Sequence, residues 1–324
     1  MRRLLMVLTV ALAAMAWAPA LNASAAAQAV GSLQADFDND GFIDLAVGVP
    51  GESIGAIQRA GAVNVLYGAA GGLAGAGGQL FSQDAADVAG TAEADDRFGA
   101  ALAAGDFNNN GFADLAIGVP FEDIGASFQA GAVNVLYGAA GGLAAAGDQQ
   151  FWQGAGGVVG TAEDFDQFGF ALDVGDFNDN GFADLAVGVP GESIGAIAEA
   201  GAVNVFYGAG AGGLAGAGGQ LFSQDAAGVA GAAEAFDHFG WAVSAGDFNS
   251  NDFADLAVGV PGEDLGAASD AGAVNVLYGA GGGLAAAGNQ QFSQDSAGVA
   301  GAAEADDNFG FALLGSDQPT ISAG

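Results

Sequence analysis

The sequence contains no cysteine. Disulfides, thiol nucleophiles and thiolate metal sites are therefore excluded, and cysteine usage says nothing about compartment. Lysine is also absent, and the basic residues are Arg2, Arg3, Arg59 and Arg97 alone. No side chain can serve as a P-loop lysine or form a Schiff base. His238 is the single histidine, which rules out a metal centre built from imidazoles. The matching positions elsewhere in the chain hold Arg97, Gln167 and Asn308. That variation fits an ordinary surface residue better than the base of a Ser-His-Asp triad. Against these absences stand 38 acidic residues and a net charge of −34. Such a surface repels phosphate backbones and anionic lipid, so nucleic acid is a poor partner and cations are natural ligands. Acid-rich, lysine-free surfaces also keep proteins soluble in concentrated salt, a reading that needs no ligand.

A sustained helical stripe is missing too, since Gly or Pro interrupts each candidate helix. Hydrophobic letters make up 52% of the chain, but alanine supplies many of them and glycine counts 59. A core of such small side chains requires backbones that approach closely, as packed sheets or repeats allow. The one long apolar run, Leu4 to Ala18, follows Met1-Arg2-Arg3 and precedes Pro19 and Ala23-Ser24-Ala25. This is the pattern of a secretory signal peptide, and the run is short for a membrane anchor. The expected division is residues 1–25 as signal, 26–315 as the folded domain and 316–324 as a tail. A secreted or cell-surface location follows, with no membrane span left after cleavage.

The chain repeats itself. DFDNDGFIDLAVGVP begins at Asp36, and close copies begin at Asp106, Asp176 and Asp247, spaced by 70, 70 and 71 residues. Each is followed by an AGAVNV segment, at Ala60, Ala130, Ala200 and Ala271. A Gly/Ala stretch, a segment centred on Phe81, Phe151, Phe222 or Phe292, and an acidic loop come next. A Phe-Gly pair closes each unit, at Phe98, Phe168, Phe239 and Phe309. Within a unit the apolar residues alternate, as Leu45, Val47 and Val49 do, which is the period of a strand. Four short strands per unit are expected: the Phe-Gly strand, DLAVGV, GAVNVLYG and the strand at the third Phe. One four-stranded antiparallel sheet repeated at this period reads as a blade of an all-β propeller. A parallel β-helix ranks second because its period is much shorter.

The Asp-rich strings have metal-ligand spacing. Side-chain oxygens of Asp36, Asp38, Asp40 and Asp44 fall at positions one, three, five and nine, and the Phe42 carbonyl would supply position seven. Calcium takes six to eight oxygens, and Gly41 permits the turn that converges them. The equivalent sets are Asp106, Asn108, Asn110, Phe112 and Asp114; Asp176, Asn178, Asn180, Phe182 and Asp184; and Asp247, Asn249, Asn251, Phe253 and Asp255. Asx turns without metal are the bland alternative, since Asp and Asn favour such turns. An EF-hand is disfavoured because no helix flanks the loop and no Glu stands at position twelve. The first loop has four carboxylates, and the fourth replaces Gly with Asp252, so the fourth is expected to be the weakest or most distorted.

Phe98-Gly99 and its equivalents, the Asp/Asn loops and the Val47-to-Pro50 segment together resemble FG-GAP repeats, the units of integrin α-subunit propellers and of many bacterial secreted proteins. V-G-V-P stands where that family usually has V-G-A-P. The resemblance covers roughly residues 30 to 315. It implies calcium in the hairpin loop between the first two strands of each blade. It also implies an extracellular protein or glycan ligand on the opposite face, and a role in binding or adhesion. A structural surface-layer protein and a propeller hydrolase are the alternatives. The family ring usually has seven blades, whereas only four Asp-rich loops are present here. The first unit lacks its Phe-Gly strand, and Phe309 to Leu313 stands alone near the C-terminus. These two ends could close a four-bladed ring, with the last strand beside Asp44 to Val49. An open arc, a fragment and half of a dimeric ring are the other readings.

No catalytic constellation emerges, and the chain is expected not to be an enzyme. The Gly-rich runs Gly68 to Gly78 and Gly208 to Gly219 resemble phosphate loops only superficially, and flexible turns are expected there. Glu52, Glu122, Glu192 and Glu263, and in the acidic loop Glu93, Glu163, Glu234 and Glu304, could in principle pair for glycoside hydrolysis. Their recurrence in every unit favours a structural or solvating role, because an active site needs one asymmetric set.

Overall fold

A computed structural model describes residues 35–315. The expected signal peptide and tail lie outside the described residues. Strand β1 (Leu45–Val49), β2 (Ala62–Tyr67) and β3 (Ala74–Phe81) form the first sheet. The second is built from β4 (Ala101–Gly105), β5 (Asp114–Val119), β6 (Ala132–Ala139) and β7 (Gly142–Phe151). The third holds β8 (Ala171–Gly175), β9 (Asp184–Val189), β10 (Ala202–Gly208) and β11 (Leu214–Phe222), with a short 3-10 turn at Gly210–Gly212 before β11. The fourth holds β12 (Val243–Gly246), β13 (Asp255–Val260), β14 (Ala273–Tyr278) and β15 (Ala285–Phe292). Every sheet is an antiparallel meander in chain order, as expected of propeller blades.

The core lies between the blades rather than inside any one of them. Phe37, Val63, Val65 and Phe98 meet Leu115, Ile117 and Leu136 at the first junction. Equivalent layers fill the second and third junctions, with Phe107 and Phe168 in one and Phe177 and Phe239 in the other. This is why DLAVGV shows no clean inside-outside alternation: in β5, β9 and β13 all six residues are buried, because both faces are covered, by neighbouring blades for β5 and β9 and by the third blade and the C-terminal Phe-Gly segment for β13. Close approach demands glycine at each junction. A side chain on Gly118 would collide with the carbonyl of Gly169, and Gly188 meets Gly240 in the same way.

Hydrogen bonds repeat along with the packing. The Tyr67 hydroxyl donates to Gln79 and accepts the Leu143 N–H of the next blade at 2.9 Å, while Gln79 donates to the Leu143 carbonyl at 3.0 Å. Tyr207, Gln220 and Leu284 repeat this clamp between the third and fourth blades. Asn134 donates to the Ala89 carbonyl at 2.8 Å, as Asn204 does to Val159 and Asn275 to Ala230.

Three expectations are corrected by this arrangement. First, the Phe-Gly pair does not begin the inner strand. Phe98, Phe168, Phe239 and Phe309 each form a parallel bridge to the preceding blade, at Gly61, Gly131, Gly201 and Gly272, and the inner strand starts a few residues later. The pair is a fastener between units, which its position in the repeat could not reveal. Second, the Gly-rich runs are not turns throughout, since β3 and β11 extend back into them. Main-chain pairing to β2 and β10 carries these strands where side chains contribute little. Third, the C-terminal Phe-Gly segment does not lie beside Asp44 to Val49. Among the described residues β1 pairs with β2 alone, and Phe309 and Leu313 pack instead on the outer side of the fourth blade against Ala257, Val274 and Val276. The four blades form an arc that this segment does not close.

Candidate functional site

The four Asp-rich loops join the first and second strands of their blades, or in the first unit lead into β1. In each, the first Asp accepts two backbone amides. Asp106 takes the N–H of Asn110 at 3.0 Å and of Gly111 at 2.8 Å, and Asp176 repeats this with Asn180 and Gly181. The fifth residue then accepts the amide two places on, as Asn110 does from Phe112 at 2.8 Å. The chain must turn left-handed to allow this: Asn39, Asn109, Asp179 and Ser250 have φ between 53° and 60°. The next turn residue is Gly41, Gly111 or Gly181, but Asp252 in the fourth loop, at φ 70°. Its amide sits 3.2 Å from Asp247, against 2.8 to 2.9 Å in the other loops, so the fourth turn keeps its shape slightly loosened.

The ninth residue of each loop anchors the hairpin. Asp114 is fully buried, with one oxygen accepting Phe107 N–H and the other Gly138 N–H, both at 2.9 Å. Asp44, Asp184 and Asp255 make the same pair of bonds. Burial pushes the carboxyls of Asp114 and Asp184 up to about 7, with the two amides pulling the other way. Asp38 is raised as well, first by burial and then by the charge of Asp40.

Two observations test whether these residues fit a cation. The carboxylates of Asp36, Asp38 and Asp40 bring oxygens within 4.8 Å of one another. In the second loop the Asn108 side-chain oxygen, at position three, is buried with no hydrogen-bond partner. Buried acceptors are rarely left bare, and a cation would satisfy this one. The oxygen donor set is that of a hard cation such as calcium. The residues that would hold it are those singled out by spacing, with the ninth-position carboxylates already committed to the backbone.

The opposite ends of the same strands carry a second set of acids. Gln83 at the end of the first blade donates to Glu122 in the second at 2.6 Å, Gln153 donates to Glu192 at 2.7 Å, and Gln224 donates to Glu263. Beside them Asp96, Asp166 and Asp237 are buried, each accepting the backbone N–H three residues earlier. Burial holds Asp96 up at about 6 and Asp166, Asp237, Glu122 and Glu192 at about 7, with the facing acids adding to the shift. Glu122, Glu192 and Glu263 are thus structural, while Glu52 is exposed. The three aspartates were missed in the sequence, although each stands two residues before a Phe-Gly pair. On this face Phe128 and Phe165 are 48% and 47% exposed and stack edge to face at 5.4 Å. Asp164 fixes the loop by accepting Phe128 N–H, and Phe165 N–H donates to the Phe128 carbonyl. The available signal was that Phe128 stands where the other units have Gln58, Ala198 and Ser269, and Phe165 where two of them have Asp95 and Asp306.

Residues 32–66, 98–136, 168–206 and 239–277 each match the FG-GAP repeat family. A stretch of 165 residues, 51% of this chain, is 33% identical to phosphatidylinositol-glycan-specific phospholipase D of Rattus norvegicus, covering 18% of that protein. Integrin alpha-3 of Cricetulus griseus is 31% identical over 169 residues, half of this chain and 14% of its own length. Integrin alpha-E of Mus musculus is 41% identical over 96 residues, 28% of this chain and 8% of its own length. The chain spans less than a fifth of the length of these curated relatives. Among the described residues no helix is long and apolar enough to cross a membrane. With the repeats matched one by one to successive antiparallel blades, the chain carries four FG-GAP repeats in an all-β, propeller-like fold.

Proposed function

We propose that the chain is a secreted, calcium-binding propeller that acts as an extracellular binding or adhesion module. The unsatisfied, buried oxygen of Asn108, at the third position of the second loop, is the observation that carries the calcium reading. Calcium in the loops would hold the ends of the first two strands together and leave the far face free for a protein or glycan ligand. That face carries the exposed Phe128–Phe165 pair with Asp123, Glu163 and Asp164 around it. An aromatic anchor with a polar rim is the composition of a binding patch. The phospholipase chemistry named for one relative stays with that protein, because the shared region is the repeats.

Calorimetric titration with calcium, paired with melting curves in calcium and in chelator, tests the reading. Saturation at about 100 times the dissociation constant should add roughly 2.7 kcal/mol for each independent site. An identical melting temperature in both buffers would defeat the calcium assignment and leave the loops as Asx turns.

A further inference from the structure

Phe128 and Phe165, on the face opposite the Asp-rich loops, are placed at a cost that the fold does not require. Both rings are nearly half exposed, so each forgoes much of the gain of burial. Phe165 also holds φ 70°, a left-handed conformation that a bulky side chain rarely adopts. The first and fourth units make the same turn with Asp95 and Asp306, at φ 77° and 66°. Aspartate tolerates that backbone better, so the turn itself has no need of a phenyl ring.

The backbone fixes the pair. Phe165 N–H donates to the Phe128 carbonyl at 2.8 Å, and Phe128 N–H donates to the Asp164 carboxylate at 2.8 Å. Next to it, Gln129 N–H donates to Asp123 at 2.8 Å. The ring planes stand at 80°, with centroids 5.4 Å apart. Perpendicular rings make a corner in which one rounded group can rest against a face of each. A flat stack offers no such seat.

Charge selects what rests there. Residues 120–131 and 152–170, the two connections that carry the pair, hold five acids and no lysine, arginine or histidine. Of these acids Asp123, Glu163 and Asp164 are exposed. An aromatic face attracts a cation, most strongly one that has lost its water. The chain already makes one such contact: the Arg97 guanidinium lies 4.6 Å from the ring centroid of Phe121, in the same connection as Phe128. Among the described residues no cation covers Phe128 or Phe165. Asp123 and Asp164 each have an oxygen taken by a backbone amide, so neither is set for the two-pronged grip that a guanidinium prefers. A quaternary ammonium asks for no hydrogen bond and suits aromatic faces ringed by negative charge.

We propose that the Phe128–Phe165 corner binds the quaternary ammonium group of a small choline-type cation. This rests on the reading of the far face as a binding surface and names the class of ligand. An anionic group on the ligand would meet the surrounding acids, so choline is favoured over phosphocholine and glycine betaine.

Titration of the purified chain with choline, exchanged for sodium at constant ionic strength and followed by broadening of the choline methyl resonance, tests this. The comparison probes are dimethylbutanol (the uncharged carbon isostere), phosphocholine, glycine betaine, an arginine amide and a neutral monosaccharide. Choline should bind saturably, and its isostere about two- to thirtyfold more weakly. Phe128→Leu and Phe165→Leu, which keep apolar bulk but lose the aromatic face, should weaken choline binding by the same range. Phe165→Tyr should retain it. If a leucine variant fails to fold, the comparison of choline with its isostere on the wild type decides. Equal binding of those two, or choline binding insensitive to both leucine changes, would overturn the proposal. Tighter binding of the arginine amide or the monosaccharide, lost in the leucine variants, would overturn the ligand class and leave the face standing as a binding surface. Silence from every probe would overturn the proposal too, while melting in calcium and in chelator still reports separately on the loops.

Discussion

Asp114 occupies a position where charge and hydrogen bonding oppose each other. It is fully buried and its carboxyl is raised to about 7, yet it accepts the backbone amides of Phe107 and Gly138. Asp114→Ala should therefore cost about 2–4 kcal/mol even in chelator, since each orphaned buried N–H carries its own desolvation penalty. Urea denaturation with and without calcium separates that cost from any loss of metal; a change seen only in calcium would contradict the hairpin role. Asp252 shows the reverse situation. It holds φ 70° where the other loops have glycine, so Asp252→Gly should raise stability by about 0.5–1 kcal/mol, and a loss in the same denaturation series would contradict this. Both residues were legible as members of the repeat. What the string could not convey was that the ninth Asp points at amides rather than solvent, because Phe107 and Gly138 are distant in sequence and meet only in the folded hairpin.

At the level of elements, the alternating strands and their order were readable, and the Gly/Ala-rich β3 and β11 were not. Their pairing depends on the main chain, which every residue type offers equally. The buried acids at the junctions were half readable: Glu122 and Glu192 stood out by recurrence, but their glutamine partners lie 39 residues earlier, in another blade. This belt of acids predicts an unusual pH response. Asp96, Asp166, Asp237, Glu122 and Glu192 have folded values of about 6 to 7, above their ordinary values near 4. Between about pH 4 and 7 the folded state thus binds more protons than the unfolded chain, so stability is greatest at the acid end of that window and falls as pH rises through it. In chelator, the melting temperature should climb as pH is lowered from 7.5 to about 5. Glu122→Gln should flatten the slope and raise stability at pH 7.5, as it removes a buried charge while keeping an acceptor for Gln83. A melting temperature that falls on acidification would mean that these carboxyls are not held protonated.

Across the whole molecule, the repeat spacing identified the blades, and the expectation that failed was the one about the ends. Where β1 lies relative to the C-terminal segment depends on how far the arc turns per blade, a quantity set by side-chain volume at the junctions and not written in any one motif. The consequence is a gradient of protection. Repeat architectures draw stability from nearest-neighbour contacts, so a unit with one neighbour is weaker than a unit with two. The second and third blades have a packed junction on both sides, and β5 and β9 are buried at every position. Among the described residues the first blade has one junction, β1 pairs with β2 alone, and Leu45 and Val47 are exposed. Native-state hydrogen exchange should then be slowest in β5, β6, β9 and β10 and fastest in β1 and β3, with the fourth blade between them because Phe309 and Leu313 cover part of its outer side. Calcium should slow exchange in the strands flanking each occupied loop more than elsewhere, as it binds the folded hairpin and not its opened form. Uniform protection across all four blades would show instead that the arc unfolds as one unit, and that the junctions couple more strongly than the difference between one neighbour and two.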